Sequence, residues 1–152
     1  LEYIKVIIFL VAIVFPLLLS NNKNLSTKIL KFVKMILFIH LVLLFILIFQ
    51  LHHLLRDLFN IPNTVTYLLS AIPFVMLINK FSTQLKSGES IYLIFSVFLL
   101  GLAVLLDLLT DGKIIVLENS DSLEEYLRIA GAIFWLIYNY FLYERFKVTK
   151  SL

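Results

Sequence analysis

Long apolar runs separated by short polar stretches cover nearly the whole chain. Five of them read as Tyr3–Leu19, Ile29–Leu51, Val65–Asn79, Ile91–Leu109 and Tyr126–Tyr143, with charged residues gathered at alternating ends. A hydrocarbon core about 30 Å thick needs about 20 helical residues to cross it. Most of the runs meet that length, and the shorter Val65–Asn79 draws on its flanks at Thr64 and Lys80. The pattern predicts an all-α integral membrane bundle, a single domain over residues 1–152. Its five transmembrane helices are expected near 3–19, 29–55, 64–80, 91–110 and 123–146. Tyr3–Leu19 has no small-residue cleavage site, so it reads as a retained helix rather than a signal peptide.

Composition points the same way. Hydrophobic residues make up 61% of the chain and charged residues 15%, against about 45–50% and about 25% in soluble domains. Such a chain has too little polar surface to fold in water. There is no cysteine, which excludes disulfides, thiol nucleophiles and Cys-ligated metal. The net charge of +3 would suggest nucleic acid in a soluble protein. Here no basic run carries interleaved aromatics, so no nucleic-acid partner is expected.

The basic residues sort by side. Lys23, Lys28, Lys31, Lys34, Lys80, Lys86, Arg145, Lys147 and Lys150 fall at one set of ends, nine in all, and Lys5, Arg56, Lys113 and Arg128 at the other. Basic loops stay on the cytoplasmic side. The expected orientation has the N-terminus outside and the C-terminus in the cytoplasm or matrix, in a bacterial inner (plasma) or organellar inner membrane. Four crossings would put the basic tail on the acidic side.

Local signals mark the connections. Ser26 or Thr27 can cap the second helix. Pro62 breaks helical pairing, and Asn63 or Thr64 can cap the third. Ser122-Leu-Glu-Glu125 has the form of a capping box at the start of the fifth. Lys113–Leu117 reads as a short strand or a segment lying on the membrane surface.

Lipid accepts large apolar side chains all round a helix, so small and polar residues mark the inward faces. At about 100° per residue, Ser96, Ala103, Asp107 and Asp111 share one arc of the fourth helix. Glu125, Arg128, Ala132, Trp135 and Asn139 form a stripe on the fifth, and Thr66, Ser70 and Pro73 one on the third. These strips are expected to face one another. Tyr138, Tyr140 and Tyr143 with Trp135 also fit an aromatic belt at the inner interface.

Candidate chemistry concentrates at the outer ends. Ionisable groups in or near hydrocarbon pair with one another or serve a function. Asp107 and Arg128 could pair across the helix interface, and Glu124 to Arg128 has favourable i,i+4 spacing. An intramembrane polar network of His40, Ser96, Asp107, Arg128 and Asn139 is expected. His52, His53, Asp107, Asp111, Glu124 and Glu125 are candidate ligands for a divalent metal, although no HExxH-type spacing is present.

Haem is disfavoured, because His40, His52 and His53 all lie on one predicted helix. At about 100° per residue, His52 is turned about 120° from His40, and His53 about 140° the other way. His40 is better suited to an interhelical hydrogen bond. Glu124-Glu125-Tyr-Leu-Arg128 departs from the EExxxR signature of CAAX-type intramembrane proteases, with the arginine one residue too close and no histidine after it.

Three functions follow in order of expectation. The first is a non-catalytic accessory or assembly subunit of a larger membrane complex, partnered by lipid and by other subunits or itself. The second is a small channel, carrier or proton-conducting component using Asp107, Arg128 and His40. The third is a membrane-embedded, metal-dependent enzyme at the outer histidine and carboxylate groups.

Overall fold

The computed structural model describes residues 2–49, 51–111 and 119–147; the side chains of residues 2, 51–53 and 111 lie outside that description. Lys113–Leu117 therefore falls outside it, as does Lys150. The described chain is all-helical: α1 (Glu2–Ala12), α2 (Val14–Ser20), α3 (Thr27–Phe49), α4 (Leu51–Phe59), α5 (Asn63–Phe81), a 3-10 turn at Gln84–Lys86, α6 (Ser90–Asp111) and α7 (Ser120–Lys147).

Among the described residues, four helical stretches, and not five, are long and apolar enough to cross a membrane: Tyr3–Ser20, Thr27–Phe49, Asn63–Phe81 and Ser90–Thr110. The expected fifth, α7, is absent from that set. Arg128, Asn139 and the tyrosines dilute its apolar character. A helix enclosed by other helices has no need of an apolar surface on every side. α7 lies against α1, α2 and, most extensively, α6.

Sequence sets the helix ends. Pro16 has no N–H to offer the Ala12 carbonyl, and the first span is interrupted at Ile13. The N–H groups of Ile13 and Leu17 still bond to Phe9 O and Ile13 O at 3.1 Å, so α1 and α2 form one interrupted rod. Ser26 caps α3 as expected, its hydroxyl accepting from Ile29 N at 3.4 Å. The predicted 29–55 helix is represented by two elements, α3 and α4. Asn60, with φ 53°, ends α4, and its N–H returns to Arg56 O at 2.9 Å. Asn63 and Thr64 do not cap α5. Pro62 occupies the cap position without a side-chain bond, and Asn63 is already inside the helix.

The capping box at Ser122 does not form either. α7 starts at Ser120, and Leu123 N–H bonds to Asn119 O at 3.1 Å. The Glu125 carboxylate goes instead to Lys5 of α1. A charged partner outcompetes a local backbone N–H for a carboxylate.

Two ion pairs and a hydrogen bond fix how the rods run. Lys5 with Glu125 places the start of α1 beside the start of α7. Tyr67 with Asp107 brings the start of α5 to the end of α6. At the opposite end, Arg145 Nη1 donates to Glu89 Oε1 at 2.6 Å. α1, α5 and α7 thus run one way, and α6 runs the other. Phe32, Val33, Ile36 and Ile39 of α3 meet Ala132, Trp135, Tyr138 and Leu142 of α7 in one buried core.

Gly131 allows α6 and α7 to close up. A Cβ there would stand 2.7 Å from Leu100 Cγ and 3.3 Å from the Leu100 backbone nitrogen. Ser96 Oγ uses that proximity to donate to Gly131 O at 2.8 Å.

Candidate functional site

Two polar assemblies lie along the bundle, and they differ in kind. The first is charged and sits where α1, α5, α6 and α7 meet near the N-terminal end. Lys5 is only 6% exposed and pairs with Glu125. Arg128 pairs with Glu124 one helical turn away. Tyr67 donates its hydroxyl to Asp107 Oδ2 at 2.5 Å, and Arg128 and Glu124 lie within electrostatic reach of that contact. Glu125 Oε2 and the Thr66 hydroxyl are buried without a hydrogen-bond partner.

Each residue arrives by its place on a helix. Glu124 and Arg128 share a face by i,i+4 spacing. Asp107 continues the buried edge of α6 through Ser96 and Ala103, as the inward arc predicted. Tyr67 follows Thr66 on the start of α5. Asp107 and Arg128 do come to one cluster, but each bonds to another partner. The sequence reading missed Lys5 and Tyr67. Lys5 stands inside an apolar run, and an ionisable residue in such a run signals a buried partner.

The second assembly is uncharged and central. His40 Nε2 lies 2.8 Å from Phe9 O, and Trp135 Nε1 donates to His40 Nδ1 at 2.8 Å. A carbonyl only accepts and an indole N–H only donates. The imidazole is therefore the neutral tautomer with its proton on Nε2, and both ring nitrogens are engaged. That leaves no nitrogen to bind haem iron. Phe9 stands edge-on to His40 at 5.4 Å, and Phe74 meets Trp135 at 6.2 Å. Asn139 Nδ2 donates to Trp135 O at 2.8 Å. One indole thus joins α1, α3, α5 and α7.

Trp135 and Tyr138 are 0% and 1% exposed, so their assignment to an interfacial belt is corrected. Tyr140 is 44% exposed. The inward stripe through Ala132, Trp135 and Asn139 holds, since all three are buried. Of the expected polar network, His40 and Asn139 meet through Trp135. Ser96 bonds the α7 backbone, and Asp107 and Arg128 belong to the charged cluster.

Of the metal candidates, Asp107 accepts from Tyr67. Glu124 and Glu125 are held by Arg128 and Lys5, while the side chains of His52, His53 and Asp111 lie outside the described residues. Among the described residues no three His, Asp or Glu side chains come together in a ligand set.

At the other end, burial alone would raise the Glu89 carboxyl. The Arg145 hydrogen bond, with those of the Glu89 backbone and Ser87, outweighs burial and holds it below its ordinary value.

Between the two assemblies lies a cavity of about 460 Å³. Lys5, Arg128, Tyr67 and Ser70 give it a polar wall, and Leu43, Leu47, Leu100 and Val104 an apolar one, with Phe9 also in contact. Tyr3 and Ile48 also line it, and at 81% and 49% exposed they lie on the outer surface.

A family model described as Domain of unknown function (DUF8692) matches residues 4–142. No curated protein and no solved structure matches the chain.

Proposed function

The chain belongs to the DUF8692 family, and from its own geometry we propose an integral membrane protein of five crossings, acting as a non-catalytic accessory or assembly subunit of a larger complex. α7 is the fifth crossing in this reading. Its apolar stretch Tyr126–Tyr143 lies beside α6 and is bracketed by the Lys5–Glu125 and Glu89–Arg145 pairs. Among the described residues, the eight basic residues at the Arg145 end and the three at the Lys5 end support an N-terminus outside and a C-terminus in the cytoplasm or matrix.

The observation that carries the non-catalytic role is how the interior polar groups are engaged. Lys5, Arg128, Asp107 and both nitrogens of His40 hold partners on the chain itself. Lys5, Asp107 and His40 tie helices together and Arg128 holds Glu124 within α7, rather than standing ready for a reactant. The axis below the charged cluster is occupied by Phe9, His40, Phe74, Trp135 and Tyr138, which argues against a proton or ion path through the bundle.

The surface for a partner is α5, whose Leu68, Leu69, Ile72, Val75 and Ile78 are all at least half exposed. Photo-crosslinking residues placed at Leu68, Ile72 and Val75 in native membranes test it. Discrete protein adducts, of another subunit or a second copy, are expected. Lipid adducts alone would reject the subunit role.

A further inference from the structure

We propose that the cavity beside the charged cluster binds an anionic membrane lipid, taking one acyl chain against its apolar wall and a phosphate headgroup against Lys5 and Arg128. The proposal rests on the membrane placement above and is independent of the subunit role. Volume is the first argument, since about 460 Å³ lies within the range of about 300–1,000 Å³ typical of small-molecule pockets. Shape chemistry is the second. Leu43, Leu47, Leu100 and Val104 offer no hydrogen bonds, whereas Lys5, Arg128, Tyr67 and Ser70 bring polar side chains to the lining. That division matches an amphiphile and suits neither a sugar nor a bare ion.

Charge selects the headgroup. Among the described residues, both charged side chains that line the cavity are cations; Asp107, Glu124 and Glu125 do not line it. Lys5 is 6% exposed and makes one bond, to Glu125, yet an ammonium carries three N–H donors. Arg128 makes one ion pair, with Glu124, and a guanidinium carries five donors in a planar fork suited to phosphate. Donors that burial withholds from water are stabilised by an acceptor that enters the site. Tyr3 and Ile48 lie on the same outer surface as Ile7 and Phe45, whose exposed side chains face the lipid in this reading. A lipid can therefore enter sideways from the bilayer.

The test uses the full chain in a neutral detergent, titrated with palmitoyl lysophosphatidic acid, with palmitoyl lysophosphatidylcholine, and with inorganic phosphate. The phosphatidic form is expected to bind about tenfold more tightly than the choline form, which hides its phosphate charge. Val104→Phe fills the apolar wall without touching an ion pair, and should weaken both lipids. Lys5→Gln should abolish the preference between them and leave chain binding in place. Equal binding of the two lipids by the native chain would overturn the proposal, as would an unaffected Val104→Phe variant. Inorganic phosphate competing at the same concentration as the lipid would also overturn it, because the ligand would then be the free anion. If Lys5→Gln does not yield a monodisperse protein, Val104→Phe and the lipid comparison still decide. Crosslinking at α5 tests the subunit role separately, so either reading can fail alone.

Discussion

α7 and α5 solve opposite problems. α5 qualifies as a membrane span by its composition, yet most of its large side chains from Val65 to Ile78 point away from the bundle. α7 does not qualify, yet it buries Ala132, Trp135, Tyr138, Asn139 and Leu142 to 1% exposure or less. In water the more apolar helix would occupy the centre. In lipid the driving force reverses: hydrocarbon already solvates Leu and Ile, so helices associate through small residues, close packing and interhelical hydrogen bonds. α7 carries those features and α5 carries few.

Breaking the centre should cost most. Trp135→Ala removes the indole that touches α1, α3 and α5, and a loss of about 3–5 kcal/mol is expected. Reversible unfolding of the detergent-solubilised chain measures it. Gly131→Val places a side chain against Leu100 and should cost about 1–3 kcal/mol by overpacking, unless α6 shifts away, which a spin-label distance between α6 and α7 would register.

His40→Leu leaves the Trp135 N–H without its acceptor and should cost about 1–2 kcal/mol. Pairing it with Trp135→Phe should recover part of that loss, because the stranded donor is gone. A purely additive double variant would show that the bond between them is not what matters.

The contact between Glu89 and Arg145 gives a smaller, pH-dependent effect. The folded-state carboxyl titrates below its unfolded value. Its contribution is therefore complete above the unfolded pKa and is lost as pH falls through the folded one. Arg145→Met should flatten the acid side of the stability–pH curve.

The smallest effect belongs to α5. Leu69→Ala, at a position 58% exposed, should change the stability of the isolated chain by no more than about 0.5 kcal/mol. A loss rivalling that of Trp135→Ala would end the contrast between the two helices.

The sequence by itself determined the helical class, four of the five expected apolar spans and the inward stripes. Hydrocarbon thickness demands long apolar runs, and a fixed turn per residue converts spacing into faces. Ser96, Ala103, Asp107, Ala132 and Asn139 were legible for that reason, as were the Glu124–Arg128 pair and the Ser26 cap. Partner choice across helices was not. Lys5 found Glu125, Tyr67 displaced Arg128 as the partner of Asp107, and Trp135 left the expected interface to meet His40. Those contacts join residues 120, 40 and 95 positions apart. Local periodicity gives the direction of a side chain around its own rod. The height and neighbour at which it meets another rod depend on how all the helices pack, and only the tertiary structure decides that.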